Sequence, residues 1–591
     1  MILECFDKLS DRIYQVFGRR NPFPDLAKRN DDDFAVLHQK GSGIYRTVLL
    51  WQEQGVLFQA KQRIVHAFLK SSVSDVGLFL ILGGVIGLAG NLLLRHAGVL
   101  SAAVLIPLIQ ILSASILLRS PQNCAQCMRK SLFFRWLLFD FCGLSDAPFH
   151  VRPWGRSKRW GWILLGICLG GIEIFGSPVL AAVLLLGSAL AVLLFSVPEL
   201  AILAVLGGLP FLNLFSRPTA LLLALLVVCV TVGAGKAISG KRQMEWGLVD
   251  GLMLWMGGLF AFGGLISHGD LSEGLVRSFL LLSAWFSVRL LLNHSPWRER
   301  AFCVMILSSL ICSLWGIGQY AMGKAELKWV DVSRFGDIGG RVCGFFGNPN
   351  LFAIFLLYSV PLCLGKCFQS KTVLKKWLFF LSFSVGSLCL VLTWSRGAWL
   401  AWMLGVILFL MLCSRRSLSV LMALGVCSVG LTSFLPANIM NRFRSIGNFA
   451  DSSANYRIYT WRGVGRLLKA HPWGIGCGEE AFRSVYPVYA VSGTESVMHS
   501  HQVFLDVFVE LGIPGFLLFL TVLFCLLRGS FGFLARTEQG TARATGVSLF
   551  CAFVGALLMG CFDSLWYHHG LFWLFWCLCA LLENANGKER V

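Results

Sequence analysis

The chain has 591 residues, and 51 Lys and Arg against 31 Asp and Glu give it a formal net charge of +20. Only 14% of its residues are charged, whereas 56% are hydrophobic and another 62 are Gly. The apolar share is therefore well above the roughly 45–50% of soluble proteins. This composition excludes a soluble globular protein.

The predicted elements are helices that cross a membrane. Runs such as 342–365 and 417–441 contain no Asp, Glu, Lys or Arg, and they exceed the ~20 residues that a helix needs to span a bilayer. In chain order, the predicted spans are residues 76–94, 98–118, 160–176, 178–197, 200–215, 219–238, 247–267, 275–293, 301–321, 349–366, 377–394, 397–413, 418–436, 511–527, 545–562 and 568–583. We therefore predict an all-α fold, a polytopic transmembrane helical bundle of about 14–16 spans.

The basic residues predict the orientation of this bundle, because short cytoplasmic loops collect Lys and Arg. With the N-terminus in the cytoplasm, the inside loops carry basic pairs such as Lys241 with Arg242 and Lys375 with Lys376. Both termini are then cytoplasmic, and much of the net charge is a topology signal. No P-loop, zinc-finger array or aromatic RNA-binding motif accompanies it, so we expect no nucleic-acid partner.

The spans and loops predict four regions. They are a cytoplasmic N-terminal region (1–75), a transmembrane extension (76–199) with a cytoplasmic loop at 119–159, a main transmembrane domain (200–583) and a cytoplasmic tail (584–591). The main domain includes a large extracytoplasmic loop at 437–502, just before the last three spans.

Arginines lie in the predicted outer loops, where the orientation rule predicts few of them. The loop 437–502 is basic, Arg341 lies in a second outer loop, and Arg396 lies in a tight outer turn. Arg stays charged and binds phosphate bidentately, so these residues indicate an anionic ligand at the membrane surface. The alternative is that some of them contact lipid head groups.

The loop 437–502 also contains a predicted helix that carries both cations and aromatic rings. Arg457 and Trp461 lie one turn apart on it, and Arg462 follows. Such a pattern suits a glycan phosphate, because sugars stack on aromatic rings. The rings could equally form an interfacial aromatic belt.

Two histidines, His499 and His501, lie at the end of this loop. They could form a metal pair or supply one general base. We favour the base, because a metal would need a third ligand and an imidazole with a pKa near ~6.5 accepts a proton near neutrality. His499, Asp506 or Glu510 could orient His501 or compete with it as the base.

Asn348 and Asn350 precede a predicted span. They are expected to cap the helix by accepting hydrogen bonds from its free backbone N–H groups. A contact with a sugar or a phosphate is the alternative.

Four short motifs in this order resemble the O-antigen ligase and O-antigen polymerase superfamily of bacterial envelope glycosyltransferases. They are GNPN at 347–350, SRGA at 395–398, Arg457 and Trp461 followed by PWGIGCG at 472–478, and HSH at 499–501 running into ELGIPG at 510–515. The resemblance covers residues 200–583. It departs from the family pattern at Gln502, where the family usually has Asn.

The resemblance implies a membrane enzyme that moves a glycan from an undecaprenyl-diphosphate carrier to an acceptor hydroxyl of a lipid, a glycan or a protein. It places the reaction at the outer face of the bacterial cytoplasmic membrane, with membrane lipids around it. Arg396 and Arg457 match the essential arginines of the family, and His501 matches its essential histidine.

We expect further substrate contacts from residues in or near these motifs. They are Arg341, Asn348, Asn350, Trp461, Arg462, His499 and Glu510. No cofactor and no metal are expected, since the diphosphate bond already stores the energy for transfer. The rival interpretations are a membrane transporter, because other members are described as bicarbonate transporters, and a non-catalytic protein of envelope assembly.

Overall fold

A computed structural model of the chain describes residues 56–587, apart from positions 97, 99–100, 121, 145–146, 152–158, 239–243, 267, 330–339, 414–418, 420–436, 445–451 and 538–540. These residues form helices and no β-sheet. Two isolated backbone bridges join Ser72 to Asn123 and Glu326 to Arg341. The predicted all-α class is confirmed.

The described residues divide into two compact units, of which the smaller comprises residues 56–200, with the gaps given above, and 234–238. Its helices are α1 (Val56–Lys70), α2 (Val73–Leu93), α3 (Ala102–Leu118), α4 (Cys124–Lys130), α5 (Leu132–Arg135), α6 (Arg159–Phe175) and α7 (Pro178–Ser196). Helix α2 packs against α3 and α6. A Cβ at Gly166 of α6 would lie 2.9 Å from the Phe79 carbonyl oxygen of α2, so glycine is what permits this close approach, as in many membrane helix pairs.

Among the described residues, the larger unit comprises 201–233 and, with the gaps given above, 244–587. The helices from the unit boundary onward are α8 (Glu199–Gly208), α9 (Pro218–Ile238), α10 (Leu248–Gly263), α11 (Leu271–Leu291), α12 (Ser295–Ala321), α13 (Pro349–Gln369), α14 (Val373–Leu392), α15 (Arg396–Cys413), α16 (Ala437–Arg444), α17 (Ser452–Ala470), α18 (Glu479–Val485), α19 (Val503–Arg536), α20 (Thr541–Gly560) and α21 (His569–Gly587). The division into four regions stays a prediction.

Ten helices in the described part of the chain are long and apolar enough to cross a membrane, and three shorter helices are also apolar. Every predicted span falls on a helix except 418–436, which lies outside the described residues apart from position 419. The protein is therefore a multi-pass α-helical membrane protein.

Helix α13 is the most buried of the candidate membrane spans and packs against α12, α14, α15, α20 and α21. It begins after Asn348, whose side chain accepts a hydrogen bond from the Asn350 backbone N–H at 2.8 Å, and Pro349 occupies the first helical position. Both features favour a helix start. This start fixes Asn350 in the first turn of α13.

Helix α19 is kinked at Gly512, where φ is +65° and ψ is −166°. The segment 472–478 lies against this kink: the Ile475 N–H donates to the Val509 carbonyl at 2.8 Å, and the Ile513 N–H donates to the Pro472 carbonyl at 2.9 Å. A Cβ at Gly512 would lie 2.2 Å from the carbonyl carbon of Trp473, so only glycine fits. Two of the glycine-containing motifs thus form one packed unit.

Candidate functional site

A carboxylate in the connection between α20 and α21 is the centre of the candidate site. The Asp563 side chain is buried, and Nδ1 of His501 donates to its Oδ1 at 3.2 Å. Nδ2 of Asn350 donates to its Oδ2 at 2.5 Å, and Nη2 of Arg457 lies 4.0 Å from the same oxygen. Asp563 therefore joins the start of α13, helix α17 and the 499–501 segment.

The backbone around His501 is held in an uncommon conformation. His501 has φ +57°, in the left-handed region that few non-glycine residues adopt. Its neighbour Ser500 donates to Asp506 from both its backbone N–H, at 2.9 Å, and its hydroxyl, at 2.6 Å. The Trp461 indole N–H donates to the Ser500 carbonyl at 2.9 Å. These contacts fix the imidazole at Asp563.

A second chain of hydrogen bonds extends from Asn350 to the 393–396 turn. Nη2 of Arg341 donates to Oδ1 of Asn350 at 2.8 Å, and Nε of Arg341 donates to the Thr393 carbonyl at 2.8 Å. Helix α15 begins in this turn with Arg396. A Cβ on Gly397 would lie 3.0 Å from Cβ of Phe562, so the backbone beside Arg396 contacts the connection that carries Asp563.

Positive charge exceeds negative charge in this region. Nη2 of Arg442 donates to the Trp394 carbonyl at 3.3 Å, which adds a cation to those of Arg341, Arg396 and Arg457. Burial and then the charge of Arg442 lower the pKa of Arg341. Burial would raise the pKa of Asp563, but the His501 hydrogen bond and the charges of His501 and Arg457 outweigh it and hold that pKa well below its usual value. The single negative charge of Asp563 does not balance the charges of several guanidinium groups. The net positive charge that results can bind an anionic ligand.

Three of the residues predicted to contact substrate have other contacts in the structure. The Asn348 side chain caps α13, the Trp461 N–H donates to Ser500, and the exposed Arg462 guanidinium lies 5.5 Å from the Tyr459 ring centroid. Their substrate contacts stay a prediction.

Glu510 is placed away from solvent, in a buried ion pair. Its side chain is 1% exposed and accepts from Nη1 of Arg277, whose side chain is fully buried and also donates to Glu273 at 2.7 Å. The Arg277 guanidinium lies 4.8 Å from the Tyr567 ring centroid, and Tyr567 stacks on His499 at 5.3 Å between centroids. Glu510 is thus linked to His499 through Arg277 and Tyr567, and its contact with substrate stays a prediction.

We expect Glu510→Ala to destabilise the protein by about 3–5 kcal/mol, because it leaves buried Arg277 without one of its two carboxylates. The matched control is Glu479→Ala, which breaks the half-exposed pair with Arg483 and should cost under about 1 kcal/mol. Unfolding of the purified protein in SDS measures both. Equal losses of unfolding free energy in the two variants would contradict the claim that Glu510 stabilises the protein through a buried ion pair.

His499, His501 and Asp563 are the set of side chains that could hold a metal ion, since one ligand atom from each lies within 4.8 Å of the others. The fold thereby supplies a third ligand that the sequence did not indicate. However, both Asp563 oxygens already accept hydrogen bonds, from His501, Asn350 and the Ser564 N–H. Nδ1 of His499 accepts from the His501 N–H at 3.2 Å. These contacts favour a hydrogen-bonded network over a metal centre.

His499 is expected to make stability depend on pH. Burial, and then the nearby His501, lower the pKa of His499 below its ordinary value of 6.5. Unfolded chains then bind more protons than folded ones as the pH falls below about 6.5, so stability decreases toward acid. Melting temperatures between pH 5 and 7 should therefore rise with pH, and less steeply for His499→Gln than for the control His471→Gln. Identical slopes in the two variants would contradict this role.

The fold and the site define a multi-pass membrane protein with a buried Asp–His pair beside clustered arginines. Residues 379–520 match the family model Wzy_C, described as O-antigen ligase, and this confirms the resemblance to that superfamily over these residues. The match includes Arg396, Arg457 and His501 but ends before Asp563. No curated protein matches the chain.

Several residues of the site were not predicted from the sequence, including Asp563, Arg277 and Tyr567. Asp563 carried a usable signal, because it is the single acidic residue in the short connection between two predicted spans on the outer side. Arg277 lies near the start of a predicted span, where polar residues are ordinary, and its partner Glu510 is 233 residues away in sequence.

Proposed function

We propose that this protein is a membrane glycosyltransferase that transfers a glycan from an undecaprenyl-diphosphate carrier to an acceptor hydroxyl. The acceptor hydroxyl belongs to a lipid, a glycan or a protein, and the reaction occurs at the outer face of the bacterial cytoplasmic membrane. The observation that supports this most is that Arg457 and His501 both contact Asp563. Arg341 joins them through Asn350.

The arginines are proposed to bind the diphosphate. When the bond between the sugar and the diphosphate breaks, its electron pair stays on the phosphate oxygen and adds negative charge there. Arg396 and Arg457 would stabilise that charge, since preorganised cations are most effective where charge develops. Arg341 and Arg442 would add to the same field.

His501 is proposed to be the general base. An ionised carboxylate can only accept a hydrogen bond, so Asp563 fixes the proton on Nδ1 of His501 and leaves Nε2 as the acceptor. Nε2 would take the proton of the acceptor hydroxyl as its oxygen forms the new bond to the anomeric carbon. Asp563 is thus a positioning residue, comparable in role to the acid that orients a catalytic histidine in hydrolases.

Purified protein supplied with a defined undecaprenyl-diphosphate glycan tests this proposal. Lipid A-core, a second lipid-linked repeat unit and a hydroxyl-containing peptide are offered in parallel as acceptors. Formation of a glycosylated product with release of undecaprenyl diphosphate is the expected result. Flux of a small solute across proteoliposomes, with no product in any acceptor arm, would instead support a transporter.

We expect this transfer to be independent of metal ions. Three hydrogen-bond donors already contact the two Asp563 oxygens, and the guanidinium groups supply the positive charge that a divalent cation would otherwise provide. Dialysis against EDTA should change the initial rate less than twofold. A loss that returns on adding one divalent cation would assign His499, His501 and Asp563 to a metal centre instead.

A further inference from the structure

A cavity of about 780 Å³ lies between helices α12, α13 and α14 of the larger unit. It is remote from the candidate site: Lys366 in its wall and Asn350 at the site lie on the same helix α13, about 24 Å apart at ~1.5 Å per residue. The transfer reaction proposed above does not use it. A ligand bound in this cavity would therefore be distinct from the glycan donor and from the acceptor.

The polar lining of the cavity is basic. Lys366, Lys371 and Lys375 line it, together with one carboxylate, Glu299. Glu299 accepts from Nζ of Lys366, which also donates to Gln369 at 2.9 Å, so the single acid is already paired. Lys371 and Lys375 are exposed at the rim. An anion at this rim would meet two further cations.

A further guanidinium lies next to the paired acid. Arg298 precedes Glu299 in the first turns of α12, and its Nε and Nη1 atoms are buried without a hydrogen-bond partner among the described residues. Buried cations are normally paired. Arg298 does not line the cavity, but its charge acts on Lys366 and so adds to the positive potential at this end of the three helices.

The deeper lining of the cavity is apolar. Leu307 and Leu310 on α12, and Leu378 and Phe379 on α14, line it beyond the basic rim. From Glu299 to Leu310 the cavity wall follows α12 for about 16 Å at ~1.5 Å per residue. A charged rim over an apolar channel of this length matches the head group and the upper acyl chain of a membrane lipid.

We propose that this cavity is a binding site for an anionic phospholipid. The phosphate lies among Lys366, Lys371 and Lys375, and one acyl chain lies against Leu307 and Leu310. Basic pockets between membrane helices recognise anionic lipid head groups in this way. The bound lipid fills the space between α12 and α14 at the end of the bundle opposite the site.

Native mass spectrometry of the delipidated full-length protein in detergent tests the proposal. Dioleoylphosphatidylglycerol is compared with zwitterionic dioleoylphosphatidylethanolamine, and sn-glycerol-3-phosphate is added as a soluble competitor. One phosphatidylglycerol is expected to bind at least about fivefold more tightly than phosphatidylethanolamine. Millimolar glycerol phosphate is expected not to displace it.

Adjacent residues provide matched variants. Lys375→Gln should weaken phosphatidylglycerol binding about fivefold, the contribution of one basic residue near a lipid surface, whereas Lys376→Gln, which does not line the cavity, should change it less than twofold. Leu307→Trp should obstruct the apolar part of the cavity. Leu314→Trp is its matched control, because Leu314 does not line the cavity but lies on the same helix and is similarly exposed, 55% against 57% for Leu307.

Three results would overturn the proposal. They are equal affinities for the two lipids in the wild-type protein, equal effects of Lys375→Gln and Lys376→Gln, and displacement by glycerol phosphate combined with no effect of Leu307→Trp. The last result would assign the lysines to a soluble phosphate compound.

Discussion

Replacing His501 by Ala is expected to lower the rate of glycan transfer by ~10²–10⁴-fold, the usual contribution of a general base. His501 donates to buried Asp563 through Nδ1, so its other nitrogen is the one that accepts the proton of the attacking hydroxyl. Initial rates with a defined lipid-linked glycan, at saturating donor and acceptor, measure the effect.

Two further variants separate chemistry from backbone strain. His501 adopts φ +57°, a conformation that Asn tolerates better than Ala, so His501→Asn should fold normally and still lack the base. His471, which contacts the Tyr489 hydroxyl at 3.1 Å, serves as the control, and His471→Asn should retain near-normal turnover. A His501→Asn enzyme with wild-type turnover would show that another group is the base.

Replacing Arg457 by Ala is expected to lower transfer by ~10²–10³-fold, the loss that follows removal of one group stabilising charge in the transition state. Arg457 is 4.0 Å from Asp563, and its side chain remains 23% exposed, so it can reach both the carboxylate and a ligand. Arg457→Lys should recover part of the rate, because it restores the charge without the planar bidentate geometry.

The matched control is Arg466→Ala on the same helix. Arg466 is exposed, so its loss should change the rate less than threefold. Membrane insertion of each variant is checked by its yield in the membrane fraction. If Arg466→Ala were as damaging as Arg457→Ala, the anion would lie along the exposed face of α17 and not at Asp563.

The helices were predictable because a membrane span is specified by local composition. The predicted span 349–366 illustrates this: a run without a charged residue before Lys366, started by Asn348 and Pro349, forms α13 as predicted. The Asn348 cap depends only on hydrogen bonds from the backbone N–H groups of Asn350 and Leu351, which lie within three residues of it. Helix existence therefore depends on information that a short window of sequence contains.

The partners within the candidate site were not predictable in the same way. Asp563 is 62 residues from His501 in the sequence and 213 residues from Asn350, and Arg277 is 233 residues from Glu510. These pairings depend on how helices pack, which hydropathy does not encode. Motif resemblance indicated Arg457 and His501 as individual residues. Asp563, the carboxylate that joins them, lies outside these motifs, and it contacts them only because α13, α17 and α20 pack together.

Binding of a short-chain polyprenyl diphosphate to the purified full-length protein tests most directly whether the clustered arginines hold the pyrophosphate of a lipid. The wild-type protein should bind the diphosphate at least about tenfold more tightly than the matching monophosphate. Arg457→Ala should remove most of that difference, and Arg466→Ala should preserve it. Equal affinity for the two lipids in the wild-type protein, or an unchanged difference in Arg457→Ala, would contradict the assignment of these arginines to a pyrophosphate.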